Sequence, residues 1–286
     1  MEIKAAELPL DANGNVYHLN LQPEELAEKI ILVGDPERVP FFSQGFDRIE
    51  TKRKNREIVT HTGLWKGKRI SVISTGMGTD NIDIVLNELD ALVNIDLKKR
   101  RPKEKHTSLE LVRIGTSGIL QGDIPLHTWI AGRYAIGMDS LLHFYRHPAL
   151  APEEVVRDFT AQTEWGSDFP QPYAVSADAA LWEKISEGCL PGITLTAPGF
   201  YGPQCRVLRL DTAQGDFIRR LQGRSCLGLP YANLEMETAG LYGMAQLLGH
   251  RALSISVGIA NRVTGAFSEN YRDAIMALFE HVMKHI

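Results

Sequence analysis

Arg38 stands four residues after Gly34, and Arg113 stands two residues before Gly115. Both glycines open short turn-like segments, Gly34-Asp-Pro36 and Gly115-Thr-Ser-Gly118, and a third segment, Gly76-Met-Gly78, lies between them. Backbone N–H groups freed in such turns converge on anions, and the planar guanidinium fork binds phosphate oxygens in pairs. A phosphate site is the reading that uses all of these residues together, although each arginine alone serves equally well as a surface salt-bridge partner. Gly76-x-Gly78 is no dinucleotide fingerprint, because Asp80 and Asn81 follow where a third glycine is needed.

Two further segments carry polar groups at telling spacings. Asn233-Leu-Glu-Met-Glu-Thr238 puts Glu235 and Glu237 on either side of Met236, at an expected strand-to-helix junction. There a carboxylate either caps the helix or accepts hydrogen bonds from the vicinal hydroxyls of a sugar. Pro198-Gly-Phe-Tyr-Gly-Pro-Gln-Cys-Arg206 presents an aromatic ring, an amide and a guanidinium, which is the equipment for stacking on a heterocyclic base and reading its edge. Its plainer reading is an aromatic-anchored loop. His143 with His147 and His281 with His285 have i, i+4 spacing but enclose no HExxH glutamate, so no metal site is expected. Gly115-Thr-Ser-Gly118 is not a nucleophile elbow.

The elements that must position these groups follow from periodicity. Lys29 to Gly34 is an apolar run that reads as the first core strand. Two β-rich stretches between Arg56 and Thr75 flank Trp65-Lys-Gly-Lys68 as a hairpin. Ile82, Val85, Leu86, Leu89, Leu92 and Val93 fall three and four apart, which predicts a helix from about Asp80 to Ile95. Leu109 to Ile114 reads as a strand ending at Gly115-Thr-Ser-Gly118, and 124–136 as another. Strands are expected at 192–197 and 252–259, and helices at 152–162, 177–187, 217–221, 237–249 and 269–285. Strands alternating with helices over 1–286, without linker or repeat, predict one α/β domain with ligands at the carboxyl ends of its strands. Residues 96–108, charged and broken by Pro102, read as an exposed basic connector rather than a nucleic-acid or targeting segment.

Composition narrows the class. The chain has 286 residues, 44% of them hydrophobic, enough for a large core. A formal charge of -4 provides no field for holding nucleic acid. Cys189, Cys205 and Cys226 are three, widely spaced and outside any CxxC pair, which fits a reducing cytoplasm. No secretory signal and no apolar run of membrane-spanning length stands out, so a cytoplasmic protein is expected.

Taken in order, Ile31-Leu-Val-Gly-Asp-Pro-Glu-Arg-Val39, Asn55-Arg-Glu57, Ser74-Thr-Gly-Met-Gly78, Arg113-Ile-Gly-Thr116, Phe200 to Arg206, Asn233 to Thr238 and Ile259-Ala-Asn-Arg262 resemble the nucleoside phosphorylase family, and within it the uridine phosphorylase branch. The resemblance runs from Tyr17 to about Thr264. It implies a three-layer α/β/α sandwich with a central mixed, partly barrel-like sheet, and dimers assembled as a hexamer. It also implies phosphorolysis of uridine, or a related pyrimidine nucleoside, to free base and ribose 1-phosphate in nucleoside salvage. Gly34, Arg38, Arg113 and Thr116 would then hold phosphate, with Arg56 supplied by the neighbouring subunit, and His18 would cross the same interface to the ribose 5′-hydroxyl. Met236 and Glu237 would grip the ribose. Phe200, Gln204, Arg206, Glu235 and Arg262 would form the base pocket. Arg113, Glu237 and Arg206 would carry the chemistry.

No cofactor is implied beyond inorganic phosphate as co-substrate. The family's potassium position falls on Glu57 and Asn81, where Asn81 replaces a small hydroxyl residue, which puts a potassium ion there in doubt; no other metal is expected. The stretch from Leu141 to Asp168 is longer than the common core. Purine phosphorylases of the family carry an aspartate where Asn261 stands, which favours a pyrimidine. The alternatives are a purine or modified-nucleoside phosphorylase and, from a different class, a non-catalytic nucleoside-binding or storage protein.

Overall fold

The computed structural model describes residues 2–286. In chain order the elements are β1 (Lys29–Val33), α1 (Arg38–Ser43), β2 (Arg48–Asn55), β3 (Ile58–Trp65), β4 (Lys68–Ser74), α2 (Thr79–Asn94), β5 (Ile95–Asp96), β6 (Arg101–Pro102), β7 (Glu110–Ile119), β8 (Trp129–Gly137), α3 (Glu153–Thr163), β9 (Tyr173–Ser176), α4 (Ala179–Ile185), β10 (Leu190–Thr196), α5 (Phe217–Arg220), β11 (Ser225–Cys226), β12 (Leu229–Glu235), α6 (Thr238–Leu247), β13 (Arg251–Asn261) and α7 (Arg272–His285). All strands except the β5–β6 ribbon join one mixed sheet in the order β11-β12-β10-β8-β13-β7-β1-β4-β3-β2, with β9 added on β8.

β7 organises this sheet. It runs parallel to β1 on one side and to β13 on the other, and its last residues, Gly118 and Ile119, pair antiparallel with β12. The pairings β7-β13-β8-β10-β12-β7 therefore close on themselves as a barrel, from which β1, β4, β3 and β2 extend as an open wing. Closure removes the edges of five strands at once. The expected partly barrel-like mixed sheet is what the chain forms.

The sequence explains the layers. Ile30 to Val33 are wholly buried, as a strand between two parallel neighbours must be. α2 buries Ile82, Val85, Leu86, Leu89 and Leu92 without residual exposure and packs against α6. It starts after Gly78, whose φ of +94° breaks the strand direction, and stops where Ile95 turns extended. Each such side chain contributes roughly 1.5–3 kcal/mol, so Leu89→Ala costs about 2–5 kcal/mol. α7 packs on β7, β13 and α4, and its Phe279 ring stacks on Phe42 of α1 at 4.2 Å.

The structure corrects several boundaries. Gly115-Thr-Ser-Gly118 is no turn: it lies within β7, paired along its length with β13. These glycines answer to close approach. A Cβ on Gly115 would sit 2.1 Å from Arg113 Nη1, and one on Gly118 3.3 Å from Arg262 Cγ. The strand expected from 124 begins at Trp129, because Pro125 lacks a ladder donor and heads a turn in which His127 has a φ of +69°. β2 and β9 had no signal in the sequence. Residues 98–106 are exposed apart from a half-buried Arg100, but the basic connector also holds the small β5–β6 ribbon. The stretch from Leu141 to Asp168 forms a 3₁₀ turn at Leu141–Phe144 and α3.

Candidate active site

The carboxyl ends of β1, β7, β12 and β13, with the loops after β4 and β10, surround a cavity of about 970 Å³, within the range of small-molecule sites. Arg113 forms its floor. The guanidinium is buried, bonds Glu237 through Nη2, and approaches Glu235 at 3.4 Å through Nη1. Its Nε and Nη1 have no hydrogen-bond partner among the described residues. A buried cation with free donors is costly unless a ligand completes it. Arg38 and Thr116 line the same end.

The two carboxylates divide the work expected of them. Glu235 accepts from Thr196 Oγ1 at 2.7 Å and from the Glu237 and Thr238 N–H groups at 3.0 Å, which ties the start of α6 to β10. Glu237 also lines the cavity. One of its oxygens takes the Gly78 N–H at 2.9 Å and the other takes Arg113. Burial raises the Glu237 pKa, and the Arg113 charge opposes that rise. Of the two readings of the pair, helix capping describes Glu235.

At the opposite end, the 3₁₀ turn Gly202–Gln204 ends at Cys205, whose left-handed φ of +55° folds the chain back. Gln204 and Arg206 then meet: Arg206 Nη1 bonds Gln204 Oε1 and the Phe200 carbonyl, and the guanidinium lies 3.8 Å over the Phe200 ring. Arg262 closes this end, with Nη1 buried and unpartnered among the described residues. Burial, then the charge of Arg262, brings the Arg206 pKa down to about 10, so the side chain stays cationic at neutral pH. Two uncompensated guanidinium groups favour an anion between them.

Gly34, Arg38, Arg113, Thr116, Phe200, Gln204, Arg206, Glu235, Met236, Glu237 and Arg262 thus all line one cavity. His18 and Arg56 do not. Arg56 is exposed at the β2–β3 turn, and the His18 ring bonds Glu88. Glu57 and Asn81 lie at the rim, where the Asn81 amide donates to Glu57 at 3.3 Å. Asn261 lines the cavity with its polar atoms already engaged: it donates to the Gln121 and Ile124 carbonyls and accepts from Val263 and Thr264. Nothing in the sequence singles out Phe267, which is exposed, or Met77, a side chain 73% exposed in a loop whose glycines carry its only signal; both line the cavity.

The histidine pairs turn to backbone carbonyls: His143 to Gln171, His281 to Ile185. Elsewhere, Asp90, His106 and His250 bring three donor atoms within 4.8 Å of one another. His250 Nδ1 accepts the Leu109 N–H at 3.2 Å, which puts the ring proton on Nε2, facing Asp90 at 3.3 Å. A ligating Nε2 would have to give that proton up, so the tautomer set by Leu109 does not suit a metal ligand.

Residues 28–285 match the family model of the phosphorylase superfamily, and the chain belongs to that family. A uridine phosphorylase of Thermococcus kodakarensis is 31% identical over 93% of this chain and 84% of its own length. A purine nucleoside phosphorylase of Alkaliphilus metalliredigens is 28% identical over 91% of this chain and 95% of its own length. A Trypanosoma brucei nucleoside phosphorylase described as showing uridine phosphorylase activity superposes with a TM-score of 0.87 at 28% identity, covering 97% of this chain and 98% of that one.

Proposed function

We propose that the protein catalyses phosphorolysis of uridine, or a close pyrimidine analogue, giving free base and ribose 1-phosphate. The observation that carries the reading is Arg113: a buried cation with two unpaired donors, lining the cavity beside the carboxylate of Glu237. Phosphate bonded by Arg113, Arg38 and Thr116 attacks the anomeric carbon. The glycosidic C–N bond breaks, and its electron pair leaves with the base. Glu237 accepts hydrogen bonds from ribose hydroxyls beside Met236. The leaving pyrimidine carries negative charge toward Gln204 and Arg206, and Arg262 adds to the field. The protein supplies no nucleophile, so rate comes from holding two substrates in register and from fixed charges.

Arg56 and His18 complete the site from a second subunit in this reading, with dimers assembled as a hexamer, in the cytoplasm. No helix among the described residues is long and apolar enough to cross a membrane. The resemblance to purine phosphorylases supports a second reading, cleavage of a purine nucleoside, against which the engaged side chain of Asn261 weighs. The test is release of free base from uridine, thymidine, cytidine, inosine and adenosine, each with and without phosphate. Phosphate-dependent uracil release is expected. Inosine cleavage without uridine cleavage would replace the pyrimidine assignment, and saturable nucleoside binding without turnover would leave a binding protein.

A further inference from the structure

His18 and Arg56, the two site residues absent from the chain's own cavity, are held together. The Asn55 amide, one residue before Arg56, donates to the Tyr17 carbonyl at 3.0 Å and to the His18 carbonyl at 3.1 Å. His18 is fixed from the other side by Glu88, a buried acid beside Val85 and Leu89 in the sequence of α2. Both Glu88 oxygens lie 3.0 Å from the His18 N–H; one also accepts the Leu19 N–H at 2.8 Å, and the other meets His18 Nδ1 at 2.6 Å. An ionised carboxylate only accepts, so Nδ1 carries a proton. The other ring nitrogen, Nε2, bonds nothing among the described residues, and the side chain is 27% exposed. Burying an acid is expensive unless its oxygens are fully used, and here nearly all of that use converges on one histidine.

We propose that Glu88 and Asn55 are positioning residues that present His18 and Arg56 as one unit to the cavity of a second copy of the chain. Glu88 sets the ring tautomer and orientation, so that Nε2 meets the sugar hydroxyl as an acceptor. Asn55 locks the His18 loop to the β2–β3 turn, so that the sugar-side and phosphate-side contacts arrive together. This rests on the shared-site phosphorolysis reading.

Steady-state kinetics of His18→Ala, Glu88→Gln, Asn55→Ala and the unsubstituted enzyme with uridine and with 5′-deoxyuridine test it, with melting temperatures as a control on folding. His18→Ala is expected to raise KM for uridine about tenfold and to leave 5′-deoxyuridine unchanged. Glu88→Gln should reproduce that discrimination several-fold at nearly constant kcat, since an amide has one acceptor oxygen where Glu88 uses two and cannot serve both Nδ1–H and the Leu19 N–H. Asn55→Ala should raise KM for uridine and for phosphate together. If His18→Ala treats the two nucleosides alike, the shared-site reading fails and this proposal with it. If His18→Ala discriminates while Glu88→Gln behaves like the unsubstituted enzyme, the positioning role fails and the shared site stands. Asn55→Ala shifting one KM alone would sink the coupling.

Discussion

Single atoms decide much of this site. On the proposed reading Arg206 bears on the base end alone, since it bonds Gln204 and a backbone carbonyl and packs on Phe200. Arg206→Ala should therefore lower kcat for uridine by roughly 10²–10³, the usual effect of losing one donor to developing negative charge, with little change in melting temperature; unchanged turnover would remove it from the base site. Gly115 matters through what it lacks. Gly115→Ala places a methyl 2.1 Å from Arg113 Nη1, so the guanidinium must move, and KM for phosphate is expected to rise while β7 remains paired. A phosphate titration of that variant checks it. Asn81 already serves Glu57 with its amide, and exchanging potassium for a bulky organic cation in the assay is expected to leave turnover unchanged.

Elements set where those atoms fall, and they were unevenly legible. The apolar run of β1 and the helical stripe of α2 announced themselves, because burial on both faces of a strand or one face of a helix leaves a periodic trace. Arg48 to Asn55 carries five charged residues in eight, yet forms β2; it is the outermost strand of the wing, where charge discourages further pairing. The site residues inside the cavity were legible as types and spacings, but the placement of Gly115 and Gly118 was not. A glycine needed for close approach of an arginine looks, in sequence, like a glycine needed for a turn. Asn261 illustrates the same limit: its four hydrogen bonds fix the end of β13, directly before Arg262. Asn261→Asp would face two carbonyls with a carboxylate, so about 1–3 kcal/mol of stability should be lost without gain of purine cleavage, read by denaturation and an inosine assay. His61 on β3 joins Ser43 of α1 at 2.6 Å, and burial, with Lys52 nearby, pushes its pKa below the ordinary histidine value. The unfolded chain then takes up the proton first, so stability is full above about pH 6.5 and declines as pH falls below it. Melting temperature should depend less on pH between about 7.5 and 5.5 in His61→Asn than in the parent; an equal dependence would clear His61 of the effect.

At the scale of the whole molecule, the separation of His18 and Arg56 from their own cavity would, in the proposed shared site, make activity a property of an assembly. Inactive Arg56→Ala and Glu237→Ala chains, mixed and reassembled, should recover part of the activity, since some sites then receive an intact contribution from each chain. Absence of recovery despite proven subunit exchange would count against sharing. The barrel built on β7 has a separate consequence. Arg113 and Thr116 stand on a strand paired with β13 and closed onto β12, whereas Phe200, Gln204, Arg206 and Arg262 stand on or beside loops that only touch that framework. On the proposed reading, the reaction and the choice of substrate are carried by different parts of the chain: exchanging the loop after β10 and the turn after β13 is expected to retarget the base, while the half proposed to hold phosphate is left unaltered.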